Sequence, residues 1–272
     1  MIKLVAIDID GTLVNEEKIM SEKVKATLQK AMKQGTKIVL CTGRPITGIL
    51  PYVDELEMEK EEDFVISQNG AVITRTDTRE VIEEWPMELA GIKEWYELSK
   101  KFKPLFLVMN EEDFNLIVEP EEDVELEPAL IAEGKIISMA VDVKTFEQLD
   151  SRYVKAVFFG EPNDLDELEA GIPEAMRENY SVVRSQVYLL EIAAKGVDKG
   201  TALKQLAQDL GFEREEVMAI GDGNNDYEMI EAAGLGVVMA NGTERLKSIA
   251  DELTLSNIED GVAHAIEKFV LN

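Results

Sequence analysis

The feature that most constrains this chain is an alternation of short apolar runs with helical patterns, in which the apolar runs end on polar clusters. KLVAID, residues 3–8, reads as a buried strand and is followed at once by Ile9, Asp10, Gly11 and Thr12. Val24, Leu28, Ala31 and Met32 then recur at helical spacing until Gly35 supplies a stop. TKIVLCT forms a second strand, Pro45 is placed to open a second helix, and FVIS, residues 64–67, forms a third strand. A βαβαβ succession of this kind predicts a parallel sheet covered on both faces.

The last third repeats the pattern. A helix is expected from about Asp198 to Leu210, then the strand VMAIG, a helix from about Asn225, the strand GVVM and a final helix ending near Val270. Between about Glu84 and Ala193 short strands dominate instead: PLFLVM, NLIVE, IISMAVD, VKAVFFG, YSVVRS and VYLLEIA, with helical stretches near 88–102 and 163–178. The expected organisation is an α/β domain made of residues 1–83 and 194–272, interrupted by an α+β domain with an antiparallel sheet over 84–193.

Charge narrows the partners. With 28 Lys and Arg against 55 Asp and Glu in 272 residues, the formal net charge is −27. Acidic runs such as EMEKEED (57–63) and EPEEDVELE (119–127) read as solvated surface, and no basic cluster suits nucleic acid or an anionic membrane. No run approaches the roughly 18 apolar residues of a membrane span and no signal-peptide pattern opens the chain, so the expected location is cytoplasmic. A single cysteine and a single histidine leave no disulfide and no Cys- or His-rich metal centre. Any anionic substrate must be held by a few placed cations or a metal.

Four polar clusters fall where strands end, the end at which parallel α/β sheets build their sites. They are DIDGT (8–12), CTGR (41–44), GVDKG (196–200) and GDGNND (221–226). Asp8 and Asp10, two residues apart, share one side if the strand continues, and unpaired they would raise each other's pKa. Alone, the pair fits an acidic turn or calcium-type loop as well as a catalytic site. With Asp222 and a backbone carbonyl it becomes an all-oxygen set suited to Mg²⁺. Thr42 and the N–H groups that follow it can meet a phosphate, Arg44 can add a bidentate contact, and Lys199 sits at a helix start where a cation opposes the helix dipole. Neutralising a phosphoryl group beside Asp8 supplies a reason for that placement.

In order and in register with their strands, DIDGT, the Thr of CTGR, the Lys of VDKG and GDGNND resemble the four motifs of the haloacid dehalogenase-like (HAD) phosphatases. The insertion, with SQNGA (67–71) and SNIEDGVA (256–263), is similar to the Cof-type subfamily, which carries a type IIB cap; MANGTE (239–244) departs from its common Gly-Asn-Ala turn. The resemblance implies a Rossmann-like core plus an inserted α+β cap of type C2B. It implies Asp8 as nucleophile forming an aspartyl-phosphate, and Asp10 as general acid and then base. Thr42 and Lys199 would hold the phosphoryl group, joined by Thr12, Gly43, Arg44, Asn69 and Asn225 around the phosphate or substrate. Asp8, Asp222 and the carbonyl of Asp10 would ligate Mg²⁺, with Asp226 supporting the site.

The expected activity is Mg²⁺-dependent hydrolysis of small phosphorylated metabolites, sugar phosphates first. Alternatives are a flavin mononucleotide or pyridoxal phosphate phosphatase, a sugar phosphomutase, and a non-catalytic phosphate-binding module. Cys41 reads as a small core residue, His264 as structural, and Trp85 and Trp95 as cap core or hinge packing. Oligomeric state is not legible.

Overall fold

The computed structural model describes residues 1–120, 124–149 and 152–271, so residues 121–123 of the acidic run at 119–127 lie outside the described residues. Contacts divide the chain into two compact units. One comprises Met1–Gly43, Ile49–Glu83 and Asp198–Asn272, and the other Arg44–Gly48 and Glu84–Val197.

The first unit begins with β1 (Leu4–Ile7), α1 (Glu22–Lys33), β2 (Lys37–Cys41), α2 (Leu50–Leu56), β3 (Phe64–Ser67), β4 (Val72–Arg75) and β5 (Val81–Glu84). The second unit carries α3 (Leu89–Ser99), β6 (Leu105–Met109), β7 (Phe114–Val118), α4 (Pro128–Ile136), β8 (Asp142–Thr145) and β9 (Lys155–Phe159). It continues through α5 (Pro162–Gly171), α6 (Glu174–Asn179), β10 (Tyr180–Gln186) and β11 (Leu189–Ala194). The first unit resumes with α7 (Lys199–Asp209), β12 (Val217–Gly221), α8 (Tyr227–Ala232) and β13 (Leu235–Val238). It closes with α9 (Glu244–Lys247), β14 (Glu252–Leu253) and α10 (Gly261–Phe269).

The sheet of the first unit runs β14-β13-β12-β1-β2-β3-β4-β5. From β14 to β3 the strands are parallel, and β4 is antiparallel to β3. β1 lies between β12 and β2 and all four of its residues are fully buried, which is why it contains no polar side chain. α1 follows from local chemistry: Ser21 caps it by accepting from the Val24 N–H, Glu22 occupies its first turn, and Lys30 and Lys33 occupy its last. Its apolar face, Val24, Leu28 and Ala31, is buried, and the helix packs on α10. Pro45 does not open the second helix: Ile46–Gly48 is a single 3₁₀ turn and α2 starts at Leu50, with Pro51 in its first turn, where a missing N–H costs nothing.

The sheet of the second unit runs β10-β11-β9-β6-β7-β8, antiparallel except where β8 lies parallel to β7. That exception comes with a difference in element type. IISMAVD is not a strand: its first residue ends α4, Ser138 turns the chain at φ 60°, and β8 begins only at Asp142. A short apolar run suits a buried helix end as well as a strand, and Ile137, Met139 and Val141 pack inward from this turn. Trp95, Phe106, Val108, Phe158, Leu165 and Ile192 form the core on one face of this sheet, and Leu107, Met109, Leu116, Leu130 and Val157 form the core on the other. Trp95 is fully buried, edge-on to Phe158 at 6.1 Å between ring centres. Among the described residues no helix is long and apolar enough to cross a membrane.

Candidate active site

β12, β1 and β2 are adjacent and parallel, so the residues that follow them emerge together at the carboxyl ends of the strands. These are Asp222, Asp8 and Thr42. α7 brings Lys199 to the same place as its first residue, behind Asp198, which caps the helix by accepting from the Thr201 N–H at 2.7 Å.

Lys199 is the centre of the cluster. Its ammonium lies 2.6 Å from Asp8 Oδ1 and 2.6 Å from Asp226 Oδ1, with no exposed surface of its own. Burial alone disfavours the charged ammonium, but Asp226 and Asp8 together outweigh that penalty and hold its pKa above the ordinary lysine range. Asp8 is pushed the other way: desolvation, with repulsion from Asp226 and Asp222, keeps its carboxyl well above the usual range despite Lys199. Asp222 is raised to about 6, again by burial first and by Asp226 second, although the Thr12 hydroxyl donates to its Oδ1 at 2.7 Å.

Carboxylate oxygens of Asp8, Asp222 and Asp226 lie within 4.8 Å of one another. Three carboxylates against one ammonium leave a local excess of two negative charges, and the raised pKa values of Asp8 and Asp222 express the same imbalance. A hard divalent cation removes it, so this oxygen-only donor set fits such an ion. Asp226 is already engaged: its Oδ2 accepts from the N–H groups of Asp222 (2.9 Å) and Gly223 (2.8 Å) while Oδ1 holds Lys199. It therefore shapes the loop and positions the lysine, which leaves Asp8 and Asp222 as the pair that would face a cation. Gly11 has φ 86°, and a Cβ there would run into the Asp222 carboxylate.

Asp10 has a different cationic partner from Asp8, although its charge is among those that raise Asp222. β1 ends at Ile7, so the strand alternation does not reach Asp10; the chain turns instead, with Leu13 N–H donating to Asp8 O and Val14 N–H to Ile9 O, each at 3.1 Å. The Asp10 carboxylate meets Lys18 at 2.6 Å rather than Lys199. The two carboxylates of DIDGT are thus served by different cations.

Thr42 is buried, donates its N–H to Ile66 O and accepts from the Asn69 N–H, both at 2.9 Å. Gln68, Asn69 and Gly70 are successively left-handed, at φ 51°, 56° and 96°. This conformation costs the first two about 1–3 kcal/mol each and is over-determined by its neighbours. It turns Asn69 so that its side-chain oxygen accepts from Asn225 Nδ2 at 3.1 Å, while a Cβ on Gly43 would lie 3.0 Å from that oxygen. Thr42, Gly43, Asn69 and Asn225 therefore share one corner. Arg44 belongs to the other unit, where its guanidinium donates to Gly48 O at 3.2 Å. Cys41 is buried and burial pushes its thiol up, away from thiolate chemistry. His264 Nδ1 lies 3.1 Å from Thr254 Oγ1. Lys18 at Asp10, and Asn241, whose amide donates to Gly11 O at 2.8 Å, carry no sequence signal for these contacts, because both partners are chosen by loop conformation.

Comparison with known proteins converges on one family. Residues 5–266 match the family model described as haloacid dehalogenase-like hydrolase. YxeH of Bacillus subtilis (strain 168) is 40% identical over 273 residues, covering 100% of this chain and 99% of its own. The 5-amino-6-(5-phospho-D-ribitylamino)uracil phosphatase YcsE of the same organism is 30% identical over 272 residues, covering 99% of this chain and 96% of its own. Among solved structures, the HAD subclass IIB sugar phosphatase BT4131 superposes with a TM-score of 0.81 at 25% identity, covering 98% of each chain.

Proposed function

The chain belongs to the haloacid dehalogenase-like hydrolase family and is a phosphatase, and from that premise we propose that it hydrolyses phosphomonoesters of small sugars or polyols through an aspartyl-phosphate on Asp8, with Mg²⁺ as cofactor. The observation that carries the reading is that the two carboxylates meet different cations: Asp8 is buried against Lys199, and Asp10 meets Lys18.

In the first step an oxygen of Asp8 forms a bond to phosphorus as the ester P–O bond breaks, and Asp10 gives its proton to the departing alkoxide. In the second, Asp10 takes a proton from water as that water attacks the phosphoryl group, which releases phosphate and restores Asp8. Lys199 fixes the attacking oxygen and offsets charge on the transferring group, and the Thr42 hydroxyl offers it a donor. Asp8 and Asp222 would hold a divalent cation, with the Asp10 carbonyl as a further donor, and when bound it supplies neutralising charge to the phosphoryl oxygens. Asp226 and Thr12 keep Lys199 and Asp222 in place.

The substrate class rests on two relatives. One is named for a 5-phospho-D-ribityl compound and one for sugar phosphates, so a phosphorylated polyhydroxylated chain is common to both. The inserted unit is proposed as the cap that recognises that chain. The test is phosphate release from sugar phosphates, polyol phosphates, flavin mononucleotide, pyridoxal phosphate and p-nitrophenyl phosphate, with Mg²⁺ or chelator and Asp8→Asn as control. Metal-dependent release that is strongest on sugar or polyol phosphates and lost in the variant is expected. Isomerised sugar phosphate without free phosphate would replace this reading with a mutase.

A further inference from the structure

The turn that follows Asp10 is gripped from outside by one short segment near the C-terminus. Asn257 donates its side-chain amide to Val14 O at 2.9 Å, and its own N–H donates to Asn241 Oδ1 at 3.0 Å. Asn241 in turn donates to Gly11 O at 2.8 Å. Three residues beyond Asn257, Asp260 accepts from the Ser21 hydroxyl at 2.5 Å, at the residue that caps α1. The excursion from Gly11 to Ser21 is therefore held at its beginning, its middle and its end by residues 241, 257 and 260.

These contacts bear on Asp10 through the backbone. Val14 forms a bridge with Asp10, so fixing the Val14 carbonyl fixes the peptide next to the proposed acid. Thr12, between the two clamped carbonyls, is the donor to Asp222. Further along the excursion, Asn15 Oδ1 accepts from the N–H groups of Glu17 and Ile19, each at 3.0 Å, and this curl presents Lys18, at φ 63°, to Asp10. Asp260 is left-handed at φ 59°, a conformation that costs an aspartate energy and that the Ser21 contact helps to hold.

We propose that Asn257, acting with Asn241, is a positioning residue for Asp10: the amide pair holds the Gly11–Val14 turn so that the Asp10 carboxyl meets the leaving-group oxygen. The proposal rests on the phosphatase reading above for its consequence and on backbone geometry alone for its cause. A proton donor matters in proportion to the basicity of the leaving group. An alkyl phosphate, whose alkoxide leaves poorly, needs Asp10, whereas p-nitrophenolate leaves with little help.

The test uses the full chain with Mg²⁺, as Asn257→Ala and Asn257→Asp, beside wild type and Asp10→Asn. The aspartate variant keeps the size of the side chain but puts an acceptor against the Val14 carbonyl, so it serves if the alanine variant folds poorly. The kinetic readout is kcat/KM, which reports events up to loss of the leaving group. For an alkyl phosphate it is expected to fall roughly 10- to 100-fold in both Asn257 variants, and for p-nitrophenyl phosphate less than about threefold, the pattern of Asp10→Asn. An equal loss on both substrates, or no loss, overturns the proposal. Hydrogen exchange supplies the second readout and needs no turnover: the Leu13 and Val14 amides are expected to lose protection in the variants while those of β1 keep it. Unchanged exchange at Leu13 and Val14 overturns the clamp even if activity falls. A wild-type protein inactive on both esters would count against the proposed function, with the exchange result still deciding the clamp.

Discussion

The ammonium of Lys199 lies 2.6 Å from Asp8 Oδ1, with the lysine wholly removed from water and the carboxylate nearly so. A pair this deeply buried is held by its partners, because each charge alone would carry a desolvation penalty of several kcal/mol. Lys199→Ala therefore leaves Asp8, Asp222 and Asp226 as neighbouring carboxylates with no ammonium between them. Turnover with Mg²⁺ is expected to fall roughly 100- to 1,000-fold, the scale seen when a placed charge donor is removed from a reaction centre. Steady-state kinetics across a Mg²⁺ titration checks this; a rate near wild type would return Lys199 to a structural role.

Asp8→Asn separates function from stability. Because burial and two neighbouring carboxylates disfavour the charged form of Asp8, removing that charge is expected to raise the melting temperature of the chelated protein at pH 7.5 while abolishing phosphate release. Thermal melting with chelator, wild type beside variant, reads the first part. A lower melting temperature in the variant would mean that the contact with Lys199 outweighs the repulsion.

The same imbalance makes cation binding dependent on pH. Asp222, raised to about 6 without a metal, binds a proton more tightly in the folded chain than in the unfolded one. Its contribution to stability is thus present below about pH 4 and is lost as pH rises toward 6; Asp8 shifts in the same direction. A divalent ion competes with those protons. The gap in melting temperature between Mg²⁺ and chelator is expected to be small at pH 4.5 and to widen through pH 6 to 7, and in Asp222→Asn the widening should shrink. A gap independent of pH would mean that the cation binds away from Asp8 and Asp222.

How much of this was legible depends on the range over which each signal acts. The β1 and β12 strands are apolar runs and β2 is one after Lys37, all bounded by turn residues, so periodicity and composition suffice to place them and the polar residues at their ends. The inserted unit follows from a run of short strands. What the residues could not reveal depends on loop conformation. Nothing local makes IISMAVD leave its strand pattern, since its alternate apolar residues Ile137, Met139 and Val141 pack on the core from the turn as they would from a strand; the turn at Ser138 decides it. Asp8 and Asp10 look equivalent under strand alternation, and they part only because β1 ends at Ile7. The grip of Asn257 on Val14 spans 243 positions and joins two loops, a distance at which sequence spacing carries no information.

A second buried ion pair tests what the inserted unit needs for stability. Lys155 on β9 and Glu191 on β11 meet at 3.0 Å, with side-chain exposures of 2% and 14%. Both face the sheet side that carries Leu107, Leu116 and Val157, since Val157 is two residues from Lys155 and pairs directly with Glu191 in the register. Removing one partner takes this attraction from a charge that burial already disfavours, and Glu191→Leu is expected to destabilise the chain by about 3–5 kcal/mol. Replacing both, as Lys155→Met with Glu191→Leu, removes both desolvation penalties together with the attraction. The double variant is then expected to recover most of the loss, to within about 1 kcal/mol of wild type. Denaturant melts of the single and double variants decide between the two ways such a pair can matter. Recovery means that the pair adds little net stability and is retained for another reason, whereas a double variant as unstable as the single one would make the attraction itself a main support of the sheet.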